Sequence, residues 1–291
     1  MVEELIGIIG GSGLGDALAE HIADPEFHDI ETPFGKPSAP IMVGKIGKKR
    51  VAFLARHGKG HRLSPSNVPY QANIFALKKL GVHTLIASGA VGSLREEIGP
   101  GDLVIVDQFI DKTFKRANSF FSSFGVVHCE MAHPVCNRLG KELLIAADDT
   151  NITTHPKATY VSMEGPQFST RAESLMHRAW GGDVIGMTAM PEAKLAREAQ
   201  ICYALLALPS DYDCWRPQMV QTDKQTLLEE IISNLQTATN SCLKLIKTVL
   251  ESNSQLVFRG CPCRKSLDLA VWTKDSQIDP AEKEKLKVLF E

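Results

Sequence analysis

No apolar run in the 291-residue sequence approaches the roughly 18 to 20 residues that a membrane-spanning helix needs. Neither charge predominates, since 32 Lys and Arg face 34 Asp and Glu for a formal net charge of -2. This balance gives no electrostatic reason to expect nucleic acid or an anionic membrane as a partner. The first residues do not have the pattern of a signal peptide. We therefore expect a cytoplasmic protein that binds small molecules.

The sequence has no internal repeat, no low-complexity tract and no Gly/Ser linker that would divide it. Hydrophobic residues make up 44% and charged residues 23%, as in an ordinary globular domain. Short apolar runs alternate with segments of helical spacing. We predict one α/β domain over residues 1–291, with a central mixed or largely parallel β-sheet flanked by helices on both faces. From about residue 252 the chain turns polar.

Cysteine is scattered and odd in number, with seven residues, which argues against a secreted disulfide framework. Most of these side chains are expected to be small buried hydrophobes. Cys261 and Cys263 flank a proline and would supply half of a zinc site. No second Cys or His pair lies near them in the sequence, so a local disulfide or two free thiols is favoured. We predict no bound metal.

Three predicted strands in the first half of the chain end in residues suited to binding an anion. The first of these runs is followed by glycines and Ser12, where backbone N–H groups can converge on a phosphate. A plain tight turn explains the same residues equally well. Arg56 and His57 follow the next run and either bind a phosphate or form a solvated turn. Gly89 and Ala90 end the third run, where small residues permit close approach to a ligand or close packing.

Three apolar runs in the second half end in polar turns, at Glu164, at Thr188 and at the pair Asp211 and Asp213. Ligands of α/β sheets bind beyond the carboxyl ends of the strands, so these turns indicate one shared site. Thr188 also precedes a helical pattern that starts at Pro191. The helix dipole favours an anion there, and a threonine serves equally well there as a helix cap.

Residues 102–110 are predicted to form one strand, and residues 115–134 a long loop that covers a site or meets a partner subunit. Thr170 with Glu173 and Thr222 with Gln225 have capping-box spacing, which gives Glu173 a structural explanation. Helical spacing predicts helices over residues 67–80, 135–148 and 170–180, and a short helix over residues 279–291. Residues 222–250 are predicted to form one long helix or two short ones.

Taken together, these segments resemble the trimeric purine nucleoside phosphorylase superfamily, and within it the 5′-methylthioadenosine phosphorylases. The resemblance covers residues 5–215. It rests on the motifs IIGGSGL, TPFGKPS, ARHGKGH, PSNVPYQAN, GSLREEIGPGD, DQFIDKT, EGPQFSTRAES, GMTAMPEA and SDYDCW.

The resemblance implies the roles of individual residues. Phe168 and Met187 pack against base and ribose, and Asp211 and Asp213 are the catalytic residues that contact the purine. Glu164 is a further candidate for a sugar or base contact. The phosphate site comprises Ser12, Arg56, His57, Gly89, Ala90 and Thr188. Ser169 and Thr222 fall near positions linked to substrate choice, and His128 resembles a residue supplied to the neighbouring subunit, which implies a homotrimer.

The implied reaction is phosphorolysis of 5′-methylthioadenosine, with phosphate as co-substrate and no cofactor, through an oxocarbenium-like transition state. Asp211 protonates or hydrogen-bonds N7 of the leaving adenine, and Asp213 accepts from its amino group. Two carboxylates one residue apart tend to raise the pKa of one of them. Acceptor-only carboxylates favour a 6-amino over a 6-oxo purine.

Two other functions stay open at this point. One is a phosphorylase for 6-oxopurine nucleosides or methylthioinosine. Gly186 before Met187 resembles the general purine nucleoside phosphorylase pattern, which leaves the preference at the 5′ position open. The other is a non-catalytic nucleoside-binding protein of the same fold.

Overall fold

The computed structural model describes residues 5–11, 13–216 and 224–291. Two predicted site residues, Ser12 and Thr222, lie outside the described residues. The strands are β1 (Leu5–Gly10), β2 (Ala23–His28), β3 (Ile41–Ile46), β4 (Lys49–Ala55), β5 (Val82–Ser93), β6 (Leu103–Val106), β7 (Gln108–Asp111), β8 (Thr154–His155), β9 (Thr159–Ser162), β10 (Val184–Gly186) and β11 (Cys202–Asp211). The α-helices are α1 (Leu14–Ala19), α2 (Tyr70–Lys79), α3 (Asn137–Asp148), α4 (Arg171–Ala179), α5 (Glu192–Glu198), α6 (Lys224–Glu251) and α7 (Pro280–Leu286).

All the described strands join in one mixed sheet, in the order β2-β3-β4-β1-β5-β10-β9-β7. Strand β5 is the branch point, because β11 also pairs with it in parallel and continues the sheet through β6 to β8. The pairs β1-β4, β1-β5 and β5-β11 are parallel, so the carboxyl ends of these four strands meet at one edge. Strands β9 and β10 are parallel to each other but run opposite to β5. The last residues of β5 pair antiparallel with β10 and bring its turn to the same place.

Helices cover both faces of the sheet, as predicted. Along β11 the side chains alternate between two cores: Tyr203 and Leu205 pack with α2, α5 and α7, whereas Ala204 and Leu206 pack with α1, α3 and α6. Every residue of β11 before Asp211 is buried. A strand buried on both faces explains the unbroken apolar run in its sequence.

The predicted strand over residues 102–110 is wrong in one respect, because the chain forms two strands with different partners. Strand β6 pairs with β11 and β8, whereas β7 pairs with β9. The break falls at Asp107, whose carboxylate accepts the Ala158 N–H at 3.0 Å. Residues 115–134 form the predicted long loop, and the second capping-box segment leads into one helix of 28 residues, α6.

The polar C-terminal segment returns to the body of the domain. Thr84 on β5 donates to the Leu256 carbonyl at 3.1 Å, and Leu286 and Leu289 are fully buried in the core beside α2. Among the described residues, no helix is long and apolar enough to cross a membrane. The structure is a single α/β domain.

Candidate active site

A cavity of about 330 Å³ opens where the parallel strands end, and we call it the strand-end cavity. Its volume lies at the lower end of the range of small-molecule sites, roughly 300 to 1,000 Å³. It is lined by residues at or near the ends of six strands, β1, β4, β5, β9, β10 and β11, and by residues of α6. The predicted site residues among them are Arg56, His57, Gly89, Ala90, Phe168, Met187, Thr188, Asp211 and Asp213.

Arg56 provides a permanent positive charge at one end of this cavity. Its side chain is fully buried, and Nε and Nη2 donate to the two carboxylate oxygens of Glu192 at 2.8 and 2.9 Å. Nη1 donates to the Ser88 carbonyl at 2.7 Å. Burial by itself would lower the pKa of Arg56, but the Glu192 carboxylate outweighs it and raises the pKa. The sequence argument did not single out Glu192, which reads as an ordinary acidic residue in a first helical turn.

Small residues let the backbone approach this charge. A Cβ on Gly89 would lie 3.4 Å from the Thr188 hydroxyl and 4.0 Å from Arg56 Nη1, and a Cβ on Gly11 would lie 3.4 Å from the same nitrogen. Residues from β1, β4, β5 and the turn after β10 therefore converge within a few ångströms. This is the convergence expected of an anion site.

His57 lines the same end and is neutral near pH 7. Burial lowers its pKa to about 4, and the neighbouring Arg56 charge acts in the same direction. Its Nδ1 lies 2.8 Å from the Leu63 carbonyl, which can only accept, so Nδ1 carries the proton. The imidazole stacks on His61 with centroids 4.2 Å apart. Nε2 is then an acceptor, suited to the P–OH of a partly protonated phosphate.

Asp211 and Asp213 lie at the other end of the cavity, where β11 leaves the sheet. Asp211 accepts the Ser210 hydroxyl at 2.8 Å and the Asp213 N–H at 2.7 Å. Asp213 has φ of 43°, a left-handed conformation that aspartate tolerates better than most residues. A Cβ on Gly92 would lie 3.1 Å from Asp213 and 3.3 Å from Asp211, so this glycine leaves room for the pair.

The environment of Asp213 distinguishes it from an ordinary surface carboxylate. Burial raises its pKa, and the nearby Asp211 charge adds to the increase, whereas a hydrogen bond from the Ser174 hydroxyl opposes it. The sequence argument expected one raised pKa in the pair and assigned proton donation to Asp211. The structure locates a raised pKa at Asp213. Ser174, on α4, was not predicted as part of the site.

Arg116, from the long loop, holds the Met187 turn in place. Its Nη1 donates to the carbonyls of Met187 and Met190 at 2.6 and 2.5 Å. It also binds Glu164 through the carboxylate at 3.2 Å and through the carbonyl at 2.7 Å. Arg116 was not recognised from the sequence, because an arginine in a polar loop is ordinarily solvated.

Glu164 was expected to contact sugar or base, and this expectation is wrong. Its carboxylate accepts the Ser66 hydroxyl, the Phe114 N–H at 2.8 Å and Arg116 Nε. Although burial alone would raise the pKa of Glu164, these donors lower it to about 2. The side chain is thus an ionised anchor between the long loop and the strand ends.

Three other predicted residues occupy different surroundings. Phe168 lines the mouth of the cavity with 85% of its surface exposed, which leaves its ring available to a bound base. Ser169 lies behind the lining, with its hydroxyl 3.7 Å from the sulfur of Met163, a lining residue. His128 is held by its N–H to the Ala270 carbonyl at 2.8 Å and lines a different cavity, beside Cys261.

Gly186 has a packing explanation. A Cβ at this position would lie 2.0 Å from the Tyr160 hydroxyl, a clash that no side chain avoids. Tyr160 is fully buried, and its hydroxyl accepts the Thr188 N–H at 3.4 Å. Gly186 therefore serves the Thr188 turn and carries no information about the base.

One wall of the cavity is apolar and comes from an element outside the resemblance. Ile231 and Leu235, one helical turn apart on α6, line it. The sequence did not locate an apolar pocket for the 5′ group, because the register of α6 against the strand ends is a tertiary property.

Comparisons with known proteins agree with this geometry. The model of a family described as the phosphorylase superfamily matches residues 5–251. The chain belongs to the phosphorylase superfamily, and within it to the methylthioadenosine phosphorylases.

The relatives match over nearly their whole length. The S-methyl-5′-thioadenosine phosphorylase of Cereibacter sphaeroides is 47% identical, over 96% of this chain and 94% of its own. That of Geobacter sulfurreducens is 45% identical over 99% of each chain. A methylthioadenosine phosphorylase from an Antarctic soil metagenomic library superposes with a TM-score of 0.89 at 43% identity, covering 99% of this chain and 100% of the other. The Schistosoma mansoni methylthioadenosine phosphorylase in complex with adenine has a TM-score of 0.78 at 35% identity, covering 85% and 91%.

Proposed function

We propose that this chain catalyses the phosphorolysis of 5′-methylthioadenosine, yielding adenine and 5-methylthioribose 1-phosphate. One observation carries the proposal: a single cavity of about 330 Å³ joins a buried cation at one end to a carboxylate pair at the other. A nucleoside between them would have its anomeric carbon facing the phosphate and its base facing the carboxylates. Relatives whose names give this activity match the whole chain.

At the phosphate end, Arg56, His57, Thr188 and the backbone of Gly89 and Ala90 hold the nucleophile. The Glu192 pair keeps the guanidinium fixed and charged, so that little reorganisation is needed as the phosphate attacks. Neutral His57 accepts a hydrogen bond from a P–OH group of the phosphate through Nε2. Fixing the nucleophile beneath the sugar supplies proximity, and the Met187 thioether contacts the ribose without competing as a nucleophile.

At the base end, the departing adenine needs a proton at N7. We assign the N7 contact to Asp211 and the 6-amino contact to Asp213. The Asp213 backbone N–H donates to the Asp211 carboxylate at 2.7 Å and fixes the spacing of the pair. Phe168 closes over the base from the mouth of the cavity. Phosphate is the only co-substrate, and the reaction itself needs no cofactor.

The 5′ substituent lies against Ile231 and Leu235 in this arrangement. A methylthio group buried against two aliphatic side chains is favoured over a hydroxyl by about 1 to 3 kcal/mol. Preference for methylthioadenosine over adenosine is therefore expected to be about tenfold to a hundredfold. Ser169 influences it only through Met163, which its hydroxyl contacts.

The decisive assay measures adenine release from methylthioadenosine with and without phosphate. We expect release that depends on phosphate, and faster turnover of methylthioadenosine than of inosine or methylthioinosine. Faster cleavage of inosine would favour the 6-oxopurine alternative. Tight binding of methylthioadenosine with no adenine released would instead identify a binding protein.

We also assign a homotrimer in which His128 completes the site of a neighbouring subunit. In support, His128 stands outside its own strand-end cavity, in a loop whose neighbour Leu269 is 93% exposed. Cytoplasmic location stays a prediction of the sequence.

Mixed oligomers test the assignment. Light scattering should give the mass of three chains. His128→Ala and Asp211→Asn subunits are each expected to be nearly inactive, and refolding them together should restore activity, because some sites then receive His128 and Asp211 from different chains. Mixtures no more active than their parents would refute sharing of the site.

A further inference from the structure

Four buried cysteines meet in one cluster on the opposite side of the domain from the strand-end cavity. The sulfurs of Cys136, Cys202, Cys261 and Cys263 all lie within 4.8 Å of one another. Each of the four residues is at most 7% exposed. All seven cysteines are free thiols in this structure. We call these four the cysteine cluster.

The cluster gathers three distant parts of the chain. Cys136 is the residue before α3, Cys202 begins β11, and Cys261 and Cys263 flank the start of the 3-10 helix Pro262–Lys265. The sequence argument set metal binding aside because no second pair lay near Cys261 and Cys263. Folding supplies that pair as Cys202, at the start of β11, and Cys136, which is 125 positions from Cys261.

The spacing of the sulfurs fits four ligands around one tetrahedral metal ion. Cys136 Sγ and Cys261 Sγ are 3.7 Å apart. Zinc bound by four thiolates at about 2.3 Å places neighbouring sulfurs roughly 3.8 Å apart. A disulfide needs about 2.05 Å, and each bond joins only two of the four. Four sulfurs mutually within reach are the complete ligand set of a structural zinc site.

The surroundings supply the compensating charge. Arg138 and Arg197 line the cleft beside Cys136, Cys261 and Cys263. Both Nε atoms are buried and have no hydrogen-bond partner among the described residues. Other nitrogens of these two side chains donate to carbonyls, of Leu256 at 2.8 Å and of His133. These hydrogen bonds to carbonyls therefore hold both guanidinium groups in place, and the Nε–H of each remains without an acceptor among the described residues.

The charges of the cysteine cluster and of the two arginines also fit a bound divalent cation. Four thiolates and one divalent cation carry a net charge of about minus two, and two arginines offset it. Metal-bound sulfurs accept N–H donors from surrounding groups, which orient the ligands. The cleft beside the cluster, of about 910 Å³, gives an ion a path from solvent.

We propose that Cys136, Cys202, Cys261 and Cys263 bind one structural zinc ion. All four ligand positions are protein thiolates, so no open position remains for substrate or water, and the ion has no part in the reaction. It ties the segment after α6 to the first residue of β11 and to the start of α3. The site thus stabilises the fold and is independent of the proposed function.

Metal analysis of the full-length protein tests this. Protein purified untagged and without chelators should contain about one zinc per chain by mass spectrometry. Cobalt(II) added to the reduced, metal-free protein should give the intense visible absorption of tetrahedral thiolate coordination. Cys263→Ala should lower zinc content at least tenfold. Cys242→Ala is the matched control, since Cys242 is equally buried but lies on α6, outside the cluster, and it should keep its zinc.

If Cys263→Ala folds poorly, Cys202→Ala tests the same site, because it removes a ligand from β11 instead of from the C-terminal segment. Zinc loss should lower Tm while kcat/KM at a temperature where the protein stays folded is unchanged. Three results would overturn the proposal: metal-free protein that takes up no zinc when reduced, an intact mass that shows disulfide-bonded cysteines, or iron as the ion bound on isolation.

Discussion

The two ends of strand β11 carry different kinds of chemistry. Its first residue, Cys202, belongs to the cysteine cluster, and its last, Asp211, belongs to the strand-end cavity. They are the first and last of the ten residues of this strand, roughly 30 Å of extended chain. At the amino end the cysteines are buried and pack against each other, whereas the carboxyl end opens into a cavity lined by charged groups.

This difference follows from strand direction. At the carboxyl ends of parallel strands, turns toward helices leave room for a ligand, and the residues that follow β4 and β11 line the cavity together with the last residues of β5 and the turn after β10. At the other end the segment after α6 covers β11, and the side chains pack against each other. We therefore expect substitutions at the carboxyl end to change catalysis and those at the amino end to change stability.

The largest effect is expected for Glu192→Gln, which leaves the buried Arg56 charge without its carboxylate. Loss of this fixed charge should lower kcat/KM for phosphate by about 10²- to 10³-fold. Because an uncompensated buried charge is costly, the free energy of unfolding should fall by about 3 to 5 kcal/mol. Steady-state kinetics and urea unfolding measure the two. Glu26→Gln, at an exposed residue, is the control, and equal kinetics in both variants would remove Arg56 from the site.

Asp213→Asn tests the base end of the cavity. An asparagine amide donates where a carboxylate only accepts, so preference should shift from 6-amino toward 6-oxo purines. The ratio of kcat/KM for methylthioadenosine to that for methylthioinosine should fall by about 100-fold. Asp275→Asn changes a 91% exposed side chain and should leave the ratio alone. An unchanged ratio in Asp213→Asn would show that this carboxylate does not contact the 6-position.

Leu235→Ser tests whether the side chains of α6 that line the cavity set the preference at the 5′ position. It places a hydroxyl in the apolar wall of the cavity, so the preference for methylthioadenosine over adenosine should fall by about tenfold. The matched control is Leu228→Ser, on the same helix with 56% of its surface exposed. A similar loss in both variants would mean that the effect comes from α6 as a whole and not from a pocket.

The smallest effect concerns stability alone. Glu198, at the end of α5, accepts the Phe120 N–H at 2.7 Å, and burial raises its pKa to about 7. Its protonated form is favoured in the folded state, so this contribution to stability is full below about pH 4.5 and is lost as pH rises through 7. Glu198→Gln should therefore stabilise the protein more at pH 8 than at pH 5, which appears as a larger rise in Tm at pH 8. The difference in unfolding free energy between the two pH values should be at most about 3 kcal/mol.

Tm and kcat/KM of Glu198→Gln, measured between about pH 5 and pH 8, test this prediction. Glu192 and Glu198 stand at opposite ends of one short helix, so the same substitution at each is a matched pair. A pH-independent gain in Glu198→Gln would show that the side chain stays ionised throughout.

Short-range features were predictable because their causes lie within a few residues. The capping box of Thr170 and Glu173 has both hydrogen bonds, and the apolar run of β11 became a strand buried on both faces. The long loop was expected from its composition, but Arg116 within it was not recognised as the anchor of the Met187 turn. Its partners are carbonyl groups, which every residue carries and no motif reveals.

Sequence by itself determined the α/β alternation, the strands that end in polar residues and nine of the residues that line the strand-end cavity. Only the tertiary structure decided which of these residues meet. It paired Arg56 with Glu192, 136 positions away, turned Glu164 from a ligand candidate into an anchor, and completed the cysteine cluster. The physical reason is range: caps and periodicity act over a few residues, whereas ion pairs and ligand sets depend on distances that exist only after the sheet has formed.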